Sequence, residues 1–143
     1  MNDQMRFEPA SVNVRRGETI RFVVKNVGEM PHEFMLGTAK DIKEHHAVML
    51  KHPEMEHEDE PNAVSLEPGK TGEVVWKFTK SGAFQFACLK PGHFEAGMVG
   101  TLEVRAGGAP ASRWPIADVY LTTRENVHAA HCPRGVARRC PCR

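Results

Sequence analysis

The chain has 143 residues, of which 41% are hydrophobic and 26% charged, and its formal net charge is +1. This length suits one domain with a real core. Residues 1–106 carry 13 basic and 16 acidic side chains, so we expect no nucleic-acid partner bound through a basic face. No apolar run approaches the roughly 18 residues of a transmembrane helix, and no signal-peptide pattern opens the chain. We therefore expect a soluble protein without membrane insertion.

Short alternating runs separated by turn residues fill the first hundred positions. Ile20, Phe22 and Val24, for example, alternate with Thr19, Arg21, Val23 and Lys25 before the turn residues Asn26 and Gly28. The predicted strands lie at residues 12–14, 20–24, 32–36, 64–66, 74–78, 83–88 and 99–104. Strands at this spacing with Gly, Pro and Asn turns predict an all-β sandwich or small barrel.

Residues 38–60 interrupt the strand pattern. Thr38 is a suitable N-cap for a helix that runs to about residue 51 and ends before Pro53. An acidic loop containing His and Met residues follows. We interpret this segment as a helical insertion between strands, not as a second domain.

The composition changes after residue 106. Residues 106–110 are typical of a linker, and residues 107–143 contain six Arg, no Lys and three of the four Cys. We predict one domain at residues 1–106, followed by a linker and a poorly ordered tail. The tail includes His128, His131, Cys132, Cys140 and Cys142, which lack the paired spacing of structural zinc sites, so we interpret them as chance composition.

Residues 88–98 place Cys88, His93 and Met98 at Cys-x4-His-x4-Met spacing. Thiolate, imidazole and thioether are the donors of a blue-copper site, which takes two His, one Cys and a weak axial Met. Zinc has little use for Met. The fourth ligand should be a His from elsewhere, and His32 is the leading candidate. The alternative is a buried Cys, a surface His and a core Met that share no metal.

The same segment resembles the ligand loop of the cupredoxins, the family of type 1 blue or green copper proteins. The resemblance rests on Pro91-Gly92-His93 and Gly97-Met98, with a spacing similar to the rusticyanin type. Residues 7–22 and 26–34 resemble the strands that lead to the first copper His of that family. Over about residues 5–105 the chain looks most like periplasmic cupredoxins associated with bacterial copper tolerance.

This resemblance implies a Greek-key β-sandwich with one type 1 copper held by His32, Cys88, His93 and Met98. It implies a periplasmic location, although the chain shows no signal peptide. Two departures stand out. Glu33 replaces the Asn that often ties the two ligand loops together, and residues 1–5 are expected to be a shortened first strand, with the export signal lost alongside it.

The helical insertion offers a second set of soft and imidazole donors. His45, Met49 and His52 share one helical face at i, i+4 and i+7. The candidate ligands of an accessory copper site are His45, His46, Met49, His52, Met55 and His57. The alternative is a solvated helix face with scattered His residues and with Met49 in the core.

We expect the protein to carry electrons, to handle copper in bacterial copper tolerance, or to do both, and to be no enzyme. A redox partner should dock near His93, beside Pro91, Phe94 and Ala96, and the chain should be monomeric. Phe34, Phe86 and Phe94 are expected to form a hydrophobic wall that tunes the potential. One alternative is a non-redox copper-sequestering protein that uses the His/Met-rich insertion.

A second alternative is a copper domain detached from a multicopper oxidase or nitrite reductase. Oxidases place His on both sides of the copper-binding Cys, whereas Ala87 and Leu89 flank Cys88 here. The chain is also too short for the second domain of such an enzyme. Both observations argue against this alternative.

Overall fold

A computed structural model describes residues 1–52, 60–107 and 117–121. Within these residues the chain forms eight strands and one helix. The elements are β1 (Ser11–Arg15), β2 (Thr19–Lys25), β3 (His32–Gly37), α1 (Ala39–Met49), β4 (Ala63–Leu66), β5 (Thr71–Lys77), β6 (Gly82–Ala87), β7 (Val99–Arg105) and β8 (Ala117–Leu121). The seven predicted strands and the predicted helix are thereby confirmed to within a few residues at their ends.

The strands form two sheets. One has five strands in the order β1-β7-β6-β3-β4, and the other has three in the order β5-β2-β8. Strand β1 runs parallel to β7 and β8 runs parallel to β2, while the other neighbours are antiparallel. Side chains from both sheets share one buried core, so the predicted all-β sandwich with one short helix is confirmed.

Alternation along the strands directs the core side chains. In β2, Ile20, Phe22 and Val24 are buried while their neighbours are partly exposed, because successive side chains of a strand point to opposite faces. Strand β7 alternates in the same way, with Leu102 and Val104 buried. The sheet face that carries these residues is therefore the one that packs inside the sandwich.

Strand β3 is buried at every position because both of its faces are covered. Phe34 belongs to the sandwich core, whereas Met35 packs in a second cluster with Ile42 and Met49 of α1. Helix α1 begins at the N-cap Thr38, whose side chain accepts from the backbone N–H of Asp41, and the carboxylate of Asp41 accepts from the backbone N–H of Thr38. The insertion thus covers the outer face of β3, the strand that carries His32.

Strand β8 lies within the segment expected to be a linker and a poorly ordered tail, and no strand is predicted there from the sequence pattern. It pairs in parallel with β2, and Leu121 at its end is fully buried. The guanidinium of Arg21 donates to both carboxylate oxygens of Asp118 at 2.9 Å. The five residues of β8 contain a single alternation, Val119 and Leu121, which is too short a pattern to predict a strand. Its partner strand also lies about a hundred positions earlier, so no local signal indicates the pairing.

The first residues differ from the expected shortened strand. Residues 2–6 form a tight turn in which Asn2 and Arg6 make an isolated β-bridge. Met5 adopts a φ of 56°, in the left-handed region. Met1 itself is buried and its backbone carbonyl accepts from Val27, so the turn is held against the end of β2. Helix α1 has 11 residues, and no described helix is long and apolar enough for a membrane span.

Candidate metal centre

Three predicted ligands meet at one end of the sandwich. His32 opens β3, Cys88 follows the end of β6, and His93 lies in the loop between β6 and β7. Their ligand atoms all lie within 4.8 Å of one another. The Nδ1 atoms of His32 and His93 are 3.2 Å apart, and the Nδ1 of His93 is 3.3 Å from the Sγ of Cys88. Across the described ranges, no other group of three His, Cys, Asp or Glu residues has this spacing.

The loop that joins β6 to β7 folds back on itself to hold these donors. The backbone N–H of Cys88 donates to the carbonyl of Met98 at 3.1 Å, and the N–H of Met98 donates to the carbonyl of His93 at 3.0 Å. Gly92 and Gly97 have φ values of 85° and 91°, which glycine adopts without strain. The two glycines therefore let the loop turn tightly between its first and last ligand positions.

Met98 is fully buried in the same core cluster as Cys88. Its backbone contacts place it beside Cys88 and His93, and its role as the fourth ligand stays a prediction. Phe34 and Phe86 belong to this cluster as well, whereas Phe94 packs at the edge of the cluster under α1. Phe34 and Phe86 thus share the core with Cys88 and Met98, Phe94 lies on the helix side of the loop, and the hydrophobic wall that tunes the potential stays a prediction.

Burial favours the neutral forms of Cys88, His32 and His93. It raises the pKa of the Cys88 thiol to about 11, which hydrogen bonds from the backbone at Lys90 and Glu33 only partly offset. Burial also lowers the pKa of His32, against an opposing effect of Asp3, and lowers that of His93. Neutral imidazoles have the lone pairs that a metal needs, and a bound metal displaces the thiol proton.

Glu33 links the two ligand segments through its backbone. Its N–H donates to the Sγ of Cys88 at 3.2 Å, and its side chain is buried. The departure from Asn at this position therefore leaves a direct hydrogen bond between β3 and the sulfur. Hydrogen bonds to a ligand sulfur are one of the means by which a protein adjusts a copper site.

Asn26 and Asp3, which the sequence pattern does not indicate as site residues, make hydrogen bonds close to His32. Asn26 is fully buried, and its amide donates to the carbonyls of Met30 and Leu66 at 2.8 and 2.9 Å. Asp3 accepts from the Nε2 of His32 at 3.1 Å. The pKa of Asp3 is lowered, first by a hydrogen bond from the backbone of Glu29 and also by His32. Nothing in the local sequence around Asp3 indicates this contact.

The structure describes four of the six candidate donors of the helical insertion, namely His45, His46, Met49 and His52. Met49 is buried against β3 and β6, as the alternative of a core residue expects. The Nε2 of His46 hydrogen-bonds to Glu95 at 3.1 Å and its ring packs on Phe94 at 4.7 Å. His46 therefore connects α1 to the ligand loop.

The accessory copper site stays a prediction. Of its other candidate ligands, His45 is partly buried and His52 is exposed. Neither belongs to a metal-like group of three within the described part of the chain. Met55 and His57 lie outside the described residues, as do the five His and Cys residues of the tail.

The donor chemistry fits copper. A buried thiol beside two imidazole nitrogens, with a buried thioether residue on the same loop, matches the preference of copper for mixed soft and imidazole ligands. A centre of this kind at the end of a β-sandwich defines a copper-binding protein.

The chain belongs to the plastocyanin/azurin family of copper-binding proteins, whose model matches residues 1–105. It is 57% identical over 105 residues to the copper-resistant cuproprotein CopI of Rubrivivax gelatinosus, covering 73% of this chain and 63% of that relative. It is 40% identical over 129 aligned positions to CopI of Pseudomonas aeruginosa, covering 71% of each. The chain thus spans a little under two thirds of the Rubrivivax protein.

Solved structures share the fold. Reduced auracyanin from Roseiflexus castenholzii superposes with a TM-score of 0.63 at 20% identity, covering 73% of this chain and 90% of that one. Auracyanin B superposes with a TM-score of 0.59 at 23% identity, covering 73% and 82%. These likenesses confirm the cupredoxin-like sandwich, and copper is the cofactor that the family and the donor set indicate.

Proposed function

We propose that this protein is a mononuclear type 1 copper protein that carries electrons and contributes to copper tolerance in the bacterial periplasm. The observation that carries the proposal is the convergence of His32, Cys88 and His93 within 4.8 Å, next to a buried Met98. Bound copper supplies a one-electron couple between Cu(II) and Cu(I).

The protein contributes a rigid and largely dry site. Cys88 and His32 are fully buried, and backbone hydrogen bonds hold Cys88 to Met98 and to Glu33. Because the donors are fixed in this way, their positions change little between the two copper oxidation states. The reorganisation energy of electron transfer is therefore low. The hydrogen bond from Glu33 to the sulfur and the burial of the site set its potential.

His93 is the proposed entry point for electrons. It is half-buried, whereas Pro91 and Ala96 beside it are exposed and Phe94 is partly exposed. This small apolar surface around a ligand suits brief docking of a redox partner to a monomer. No enzymatic activity is proposed, because buried Ala87 and Leu89 flank Cys88.

The proposed role in copper tolerance is supported by the relatives, which are named copper-resistant cuproproteins. A purely sequestering function through the helical insertion has less support. Met49 lies in the core, and His46 is bonded to Glu95. The proposed periplasmic location rests on the resemblance of the sequence to periplasmic cupredoxins associated with copper tolerance.

The test is the visible spectrum and copper stoichiometry of the copper-loaded chain. We expect one copper per chain and an intense thiolate-to-copper band, which Cys88→Ser abolishes. A variant with Cys132→Ser, Cys140→Ser and Cys142→Ser is the matched control and should keep the band. A parent without the band, or a Cys88→Ser variant that retains it, would refute the mononuclear site.

Electron carrying is tested separately by voltammetry of the copper-loaded parent. We expect a reversible one-electron couple that is lost in Cys88→Ser. A parent that shows the thiolate band but no reversible couple would contradict the electron-transfer role.

A further inference from the structure

We propose that Asp3 is a positioning residue for the metal centre, which fixes the tautomer and the ring orientation of His32. This inference rests on the proposed copper site at His32, Cys88 and His93. The carboxylate of Asp3, in the first turn of the chain, hydrogen-bonds to the ring of His32, which lies 29 positions later.

The carboxylate of Asp3 is itself held in place by the loop before β3. One oxygen accepts from the backbone N–H of Glu29 at 2.7 Å. The other accepts from the N–H of Met30 at 3.3 Å and from the Nε2 of His32 at 3.1 Å. Three donors thus fix both oxygens, although the side chain is 35% exposed. The carboxylate is an oriented acceptor and not a mobile surface charge.

This acceptor determines which nitrogen of His32 carries the proton. An ionised carboxylate can only accept, so the Nε2 of His32 must donate the hydrogen. The Nδ1 of His32 is then left with its lone pair, and it lies 3.2 Å from the Nδ1 of His93. Ligand imidazoles commonly donate their second N–H to a carboxylate or carbonyl, which orients the ring and strengthens the ligand. Asp3 fills this role for His32.

Gly28 lies directly against Asp3, and its lack of a side chain leaves room for the carboxylate. A Cβ at Gly28 would collide with the carboxylate of Asp3. The N–H of Gly28 donates to the side-chain oxygen of Asn26 at 3.0 Å, so the backbone there is not free to move away. Gly28→Ala should therefore displace the Asp3 carboxylate, because the three atoms nearest to the added Cβ all belong to Asp3.

The competing explanation is that Asp3 only ties the N-terminal turn to residues 29 and 30. Both explanations predict a loss of stability when Asp3 is replaced, so stability cannot separate them. The tautomer of His32 and the affinity for copper can, because a purely structural tie leaves both unchanged.

The experiment compares Asp3→Ala, Asp3→Asn and Gly28→Ala with the parent. Gln4→Ala, an exposed neighbour in the same turn, is the matched control. Long-range ¹H–¹⁵N spectra of the metal-free protein report the tautomer of His32. Competition with a chromophoric Cu(I) chelator reports the copper affinity.

We expect His32 to be protonated at Nε2 in the parent and in Gln4→Ala, and to become a mixture of tautomers in Asp3→Ala. Copper affinity should fall about 10- to 100-fold in Asp3→Ala. Asp3→Asn has one accepting oxygen for the three donors, and its NH2 must face either the N–H of Glu29 or the Nε2 of His32, so we expect it to restore the tautomer and the affinity only in part. Gly28→Ala should resemble Asp3→Ala, and combining the two should cause no further loss.

An Asp3→Ala variant with the tautomer and affinity of Gln4→Ala would overturn the proposal, as would additive losses in the double variant. The outcome for the proposed function is separate. A parent without the Cys88-dependent band would refute the copper site, and the tautomer in the metal-free protein would still decide whether Asp3 orients His32.

Discussion

Phe86 connects the aromatic core to the metal centre, because it lies two residues before Cys88 on β6. Its buried ring meets Phe7 edge-on at 5.2 Å and stacks on Phe34 at 5.7 Å. Gly100, its register partner on β7, lies against the ring so closely that a Cβ there would overlap it. The absence of a side chain at Gly100 is therefore what allows Phe86 to lie flat beneath the strands that carry the ligand loop.

We expect Gly100→Ala to lower the free energy of unfolding by about 1–3 kcal/mol, because the added methyl group overpacks the core. Without a clash, the same change would stabilise by about 0.4–1 kcal/mol through the unfolded chain. Chemical denaturation of the metal-free protein measures the difference. Glu103→Ala, at an exposed position of the same strand, should stay within about 0.5 kcal/mol of the parent. A Gly100→Ala variant as stable as the parent would show that the ring can shift at no cost.

At the level of the elements, β8 is the strand whose contribution can be measured most directly. Leu121 is fully buried in the sandwich core, whereas Tyr120 beside it is 59% exposed. We expect Leu121→Ala to lower the free energy of unfolding by about 2–5 kcal/mol through the lost burial and the cavity. Tyr120→Ala on the same strand should change it by about 0.5 kcal/mol or less. Equal, small effects in both variants would mean that β8 does not pair with β2 in solution.

The strands differ in how well the sequence pattern predicts them. Strand β2 was predictable because one of its faces is buried and the other is not, which produces alternation. Strand β3 lacks alternation because α1 covers its outer face. It was predicted as a short extended run that ends at Gly37. Strand β8 was not predictable, since its partner is decided by a parallel pairing about a hundred positions away.

The residues of the site likewise divide into those that the local sequence predicts and those that depend on contacts between distant segments. Cys88 and His93 were predictable because one loop supplies both, and His32 because the donor set lacked a His. Asp3 was not, because its contact depends on how the turn at residues 2–6 packs on the loop before β3. Met49 could have been either a ligand or a core residue by spacing alone, and only the packing of α1 decides for the core.

Across the whole molecule, the candidate ligands lie on or directly after neighbouring strands of one sheet. Strand β3 carries His32 and pairs directly with β6, which leads into Cys88. A bound metal would therefore connect His32 with Cys88 and His93, which lie 56 and 61 positions later in the sequence (88 − 32 and 93 − 32) and which the sheet already brings together. The native chain presents the donors close together, whereas an unfolded chain does not, so copper should bind the folded state preferentially.

Copper loading should consequently raise the temperature of unfolding. A ligand that binds only the folded state adds about 2.7 kcal/mol at a free concentration one hundred times its Kd, which corresponds to about 10 °C for a domain of this size. Calorimetry of the anaerobic protein with and without Cu(I), buffered by a chelator at a fixed free concentration, measures the shift. Cys88→Ser should lose most of it, and the variant lacking the three tail cysteines should keep it. An equal rise in Cys88→Ser would mean that the stabilising copper binds elsewhere, with His45 and His52 of the helical insertion as the next residues to replace.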